Sequence, residues 1–172
     1  MKQYNFFLTY ALLVIIQMVI CNYFHLSSYV LLSILPVMVL CIPIRISTPA
    51  TLCIAFVTGF LVDLLSEGLL GINTLSIVPV AFLRTVIIQL VFGEEVFARN
   101  EDFSIKKSGL GKVSIALLLA QGLFLAVYIL ADGAGTRPFS FNLLRFVLSL
   151  AAGYAVSILL VDTLAPEIGR AS

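Results

Sequence analysis

The chain has 172 residues, 61% of them hydrophobic and 11% charged, and a mean hydropathy of +1.14. An ordinary water-soluble domain carries about 25% charged residues, so this composition excludes one. The formal charge of +1 excludes a nucleic-acid partner, because phosphate binding needs clustered Lys and Arg.

A helix crossing about 30 Å of hydrocarbon needs on the order of 20 apolar residues. Six stretches qualify, and they predict an all-α integral membrane bundle forming one domain over 1–172. The first is 4–21, preceded by a single cation, Lys2. No small-residue cleavage site follows it, and Ile20 before Cys21 is too large for a lipoprotein box, so an uncleaved helix is expected. The second, 29–44, contains Pro36 and Pro43. The third is 49–65 and the fourth 72–92, with Pro79 inside it. Prolines at these places kink a helix or free a carbonyl that a neighbour must satisfy. A solvated loop of mixed charge over 93–111 leads to the fifth stretch, 113–131, and the sixth, 141–164. With 13 Phe, 6 Tyr and no Trp, interface anchoring falls to Tyr and Phe.

Charge orients the bundle. With Lys2 in the cytoplasm, Arg45, Arg99, Lys106, Lys107, Lys112 and Arg170 share its side, and only Arg137 lies opposite. The positive-inside rule then places both termini inside.

Asp63, Arg84, Arg145 and Asp162 fall within apolar spans, where a charge costs at least about 2.5 kcal/mol. At about 1.5 Å per residue from the outer helix ends, Asp63 lies about 6 Å deep, Arg145 about 8 Å and Arg84 about 20 Å. The expectation is an Asp63–Arg145 pair locking the third helix to the sixth, with Arg84 snorkelling inward. The alternative keeps Asp63 on backbone donors of the turn after it and sends Arg145 to outer headgroups.

Two polar stripes, Asn73, Ser76 and Arg84 in the fourth helix and Gln121, Tyr128 and Asp132 in the fifth, point toward other helices or line a cavity. Ser149, Gly153 and Ser157 recur every fourth residue in the sixth helix, as do Ala116 and Ala120 in the fifth. Such a face docks a partner helix or packs within the chain. Cys21, Cys41 and Cys53 read as small buried apolar residues. The single histidine, His25, excludes a histidine metal cluster and a Ser-His pair inside the membrane. Asp63 and Glu67 do not form an acid/base pair. No catalytic residue, cofactor or metal is expected.

The segment from Gly59 through Asp63 and Glu67 to Gly71 and Asn73 resembles the central signature of the rod shape-determining protein MreD family, in which a helix ends in Gly-x-x-x-Asp and a second Gly precedes the next helix. Gly59, Asp63 and Gly71 occupy those places. The resemblance implies a non-catalytic subunit of the cell-elongation complex in the bacterial inner membrane. It would bind MreC directly and work with MreB, RodA and its partner transpeptidase in lateral peptidoglycan synthesis. It also implies a fold similar to the substrate-binding subunits of energy-coupling-factor transporters, with a central cavity. A vitamin-capture subunit is accordingly the alternative function. Those subunits dock through an Ala-x-x-x-Ala face on the first helix, where this chain has Ala11 followed by Ile15.

Overall fold

The computed structural model describes residues 2–23, 30–65, 70–93, 109–133 and 137–164. Six helices lie among them: α1 (Lys2–Tyr23), α2 (Leu35–Leu40), α3 (Thr48–Leu65), α4 (Ile72–Phe92), α5 (Leu110–Gly133) and α6 (Phe139–Leu164). Four of these, α3 to α6, are long and apolar enough to cross a membrane, and α1 contributes a shorter apolar stretch, Phe7–Asn22. The chain is an α-helical, multi-pass membrane protein.

Large apolar side chains turn outward on every long helix, among them Leu8 and Ile15 on α1, Phe56 and Leu64 on α3, Leu90 on α4, Leu130 on α5 and Leu159 on α6. In water such a surface would aggregate, whereas in a bilayer it is the solvated surface. The bundle is ordered by α4, which packs on α3 to one side and α5 to the other, with α6 beside α5.

The second segment departs from the expected helix over 29–44. Its helix spans only six residues, Leu35–Leu40, every one of them buried, and at about 1.5 Å per residue it is about 9 Å long. Pro36 sits in its first turn, where a missing N–H costs nothing. Beyond Leu40 the chain turns, with Ile42 N–H on Val39 O (3.3 Å) and Ile46 N–H on Pro43 O (3.1 Å). Two prolines seven positions apart thus bracket one short helix instead of kinking a long one.

This broken segment is the core of the molecule. Ile34, Leu35, Val37, Met38, Val39, Leu40 and Ile42 are all 1% exposed or less, and α2 touches every other helix. Non-helical backbone is tolerated at membrane depth only where protein surrounds it and satisfies its polar groups. Both conditions are met here.

His25, Glu67, Arg99, Lys106, Lys107, Arg170 and the mixed-charge loop lie outside the described residues, as does the side chain of Asp162.

Candidate functional site

Three clusters hold the polar side chains that the apolar bundle encloses. The first joins α3 to α4. Gly71, the residue preceding α4, has a left-handed φ of 94° and no side chain to cap the helix. Asp63, in the last turn of α3, supplies the cap from the neighbouring helix. Its Oδ1 accepts from Asn73 N–H and Asn73 Nδ2, each at 3.0 Å, and its Oδ2 from Thr74 N–H at 2.9 Å and Thr74 Oγ1 at 2.6 Å. Asn73 and Thr74 are the second and third residues of α4, whose backbone donors an ordinary N-cap side chain would take. The negative charge also meets the positive end of the α4 dipole.

Gly59 makes that approach possible. A Cβ on it would lie 2.7 Å from Thr74 Cα and 3.0 Å from Thr74 N, so only glycine lets α3 come this close to the first turn of α4. The three residues that carried the sequence resemblance thus act on one junction: Gly59 sets the distance, Asp63 caps, and Gly71 turns the chain.

The second cluster surrounds the broken segment, and each of its side chains satisfies backbone that a continuous helix would have satisfied itself. Ser149 Oγ accepts from Leu31 N–H (2.8 Å) and Gln17 Oε1 from Ile34 N–H (2.8 Å). Gln121 Nε2 donates to Ser33 O (3.3 Å). At the other end Arg84 donates through Nε to Leu40 O (3.3 Å) and through Nη2 to Ile42 O. Arg84 is therefore not a snorkelling residue: it is 4% exposed and holds the carboxyl end of α2, where helix carbonyls lack partners and a cation is favoured.

The third cluster links the end of α5 to the start of α6. Asp132 Oδ2 accepts from Arg137 Nη1 at 3.0 Å and from Arg145 Nη1. The Arg145 guanidinium lies over the Tyr128 ring, 6.0 Å from its centroid, and that of Arg137 over Phe141 at 5.6 Å.

The expected Asp63–Arg145 pair is therefore absent. Depth alone had matched the two residues, but α6 packs chiefly on α5, so Arg145 meets the carboxylate at the end of α5 while Asp63 faces α4. Gln121, Tyr128 and Asp132, expected on one stripe, divide between two clusters. In the α4 stripe, Ser76 Oγ donates back to Ile72 O (2.7 Å).

The small-residue face of α6, open to a partner helix or to packing within the chain, is turned inward. Ser149 and Ser157 are 0% and 1% exposed, and a Cβ at Gly153 would lie 2.9 Å from Gln121 Cδ, so the glycine makes room for that amide. Ala116 and Ala120 are buried on α5. Cys41 is buried, Cys21 partly so and Cys53 exposed, which corrects the reading of all three as interior residues.

Several participants escaped the sequence reading. Thr74, Gln17 and Ser33 carry no motif, although Gln17, like Gln121, is an amide within an apolar run, a signal that it has a buried partner. Tyr10 also went unread; its hydroxyl donates to Thr58 Oγ1 (3.1 Å), since Thr58 itself donates to Ile54 O (2.7 Å). Asn22 Nδ2 donates to Leu65 O (2.9 Å), which sets the ends of α1 and α3 side by side. Among the described residues no three His, Cys, Asp or Glu side chains form a group able to hold a metal ion.

No family model, curated protein or solved structure matches the chain.

Proposed function

We propose that this chain is a non-catalytic subunit of the bacterial cell-elongation complex, similar to MreD proteins, set in the inner membrane with both termini in the cytoplasm and holding the transmembrane segment of MreC. The observation that carries the reading is the α3–α4 junction. Gly59, Asp63 and Gly71, the positions of the resemblance, are the residues on which that junction depends.

The use of the polar groups supports a structural role. Asp63 receives four donors from Asn73 and Thr74, which occupy the lone-pair sites a carboxylate offers and leave it poorly placed to move protons. Arg84, Gln17 and Ser149 are engaged with backbone of their own chain. The outward apolar faces of α1 and α3 offer a partner helix its surface. Six crossings, as in the family, follow if the broken segment is the second of them. The side-by-side ends of α1 and α3 support that reading of the broken segment.

Depletion in the native rod-shaped cell is expected to produce spheres, and the tagged protein is expected to bring down MreC from detergent-solubilised membranes. Normal shape together with no MreC in the eluate removes the proposal. The alternative, a vitamin-capture subunit, calls for an open centre, whereas among the described residues Leu35, Met38 and Leu40 fill the centre. Tight vitamin binding by the purified protein would reverse the order of the two.

A further inference from the structure

The ionic cluster at the end of α5 and start of α6 is unbalanced: two arginines converge on a single oxygen of one aspartate. The residues between them in the chain, 134–136, are Ala, Gly and Thr and add no charge. Each guanidinium carries several N–H donors in a fixed fork, yet each gives only one to Asp132. Arg145 Nε is buried and finds no acceptor among the described residues. Arg137 is 41% exposed. Among the described residues the cluster therefore sets two guanidiniums against one directly bonded carboxylate, with unused donors and access from outside.

Its surroundings define what reaches it. Leu130 is 73% exposed one turn before Gly133, and Phe139 is 80% exposed two residues after Arg137. Leu143 and Leu144 continue the outward apolar surface along α6. An occupant that meets both features has an anionic head at the level of the helix ends and hydrocarbon alongside α5 and α6. An inorganic anion has only the first of these.

We propose that Arg137, with Arg145 behind it, binds the phosphate of an anionic membrane phospholipid whose acyl chains lie against Leu130, Phe139 and Leu143. Arg137 is the exposed donor, and Asp132 orients both guanidiniums while keeping one positive charge uncancelled. Planar guanidinium donors suit phosphate oxygens.

The test is native mass spectrometry of the full chain released from detergent, with dioleoylphosphatidylglycerol and dioleoylphosphatidylcholine as probes. The wild type is expected to retain phosphatidylglycerol over phosphatidylcholine. Arg137→Gln, at an exposed position, is expected to lower that retention about five- to tenfold with an unchanged melting temperature. Arg137→Lys keeps the charge but loses the fork and is expected to fall between. Equal retention of the two lipids by the wild type, or undiminished phosphatidylglycerol on Arg137→Gln, overturns the proposal. Displacement of the lipid by millimolar inorganic phosphate overturns the assignment to a lipid and leaves a simple anion site.

Discussion

Arg84 on α4 donates to the carbonyl of Ile42, just beyond the carboxyl end of α2, across 42 positions of sequence. It also holds Leu40 O. A buried guanidinium and the end of a short buried helix thereby solve each other's difficulty: the carbonyls have no helical partner, and the cation has no water.

Replacing Arg84 with Leu should therefore destabilise the bundle although it removes a charge from the membrane. Leaving two carbonyls unsatisfied costs about 2–4 kcal/mol in sum. A detergent melting curve is expected to show a clearly lower midpoint for Arg84→Leu. A midpoint at or above that of the wild type would mean that the carbonyls find other donors.

The cap on α4 predicts coupling between helices. Asp63→Ala leaves Asn73 and Thr74 donors unmet and should cost about 2–4 kcal/mol, while Thr74→Val, which loses only the hydroxyl, should cost about 1 kcal/mol. Because the hydroxyl of Thr74 donates to Asp63, the double variant should be less destabilised than the sum of the two. Simple additivity in a melting or denaturant series counts against the shared bond.

Two glycines give a controlled comparison. Gly59→Ala places a methyl 2.7 Å from Thr74 Cα, backbone that cannot rotate away, and should cost about 1–3 kcal/mol through overpacking. Gly111, also helical, has nothing within 4 Å of the equivalent position, so Gly111→Ala should be neutral or slightly stabilising. Equal midpoints for the two variants would show that α3 and α4 are not in close contact at Gly59.

Orientation is open to labelling. In a background with Cys21, Cys41 and Cys53 replaced by Ser or Ala, a cysteine at Arg45 and one at Arg137, both exposed, should react with a membrane-impermeant maleimide from opposite sides. Three helices, α3 to α5, separate the two positions, so reaction from the same side would remove one of those three crossings.

The α3–α4 junction was legible because its chemistry is local. Gly59, Asp63 and Gly71 lie within a few turns of one another, and the resemblance rests on these three positions, although the first expectation paired Asp63 with Arg145 and only its alternative gave Asp63 backbone donors. That Asp63 caps across two helices, with Gly71 contributing no side chain, was less visible, since a sequence shows the carboxylate and not the donors it meets. Arg145 was misassigned for a related reason. Depth along a helix can be counted from its residues, but whether α6 borders α3 or α5 is a property of the assembled bundle.

Composition and hydropathy were sufficient to establish a helical membrane protein, because hydrocarbon leaves a chain this apolar few other ways to satisfy its backbone. The break in the second segment was decided only by packing. A run such as 29–44 is equally apolar whether it faces lipid as a helix or lies enclosed as a short helix flanked by irregular chain and turns. The second state is available here because Gln17, Arg84, Gln121 and Ser149, brought in from four other helices, supply the partners that lipid cannot.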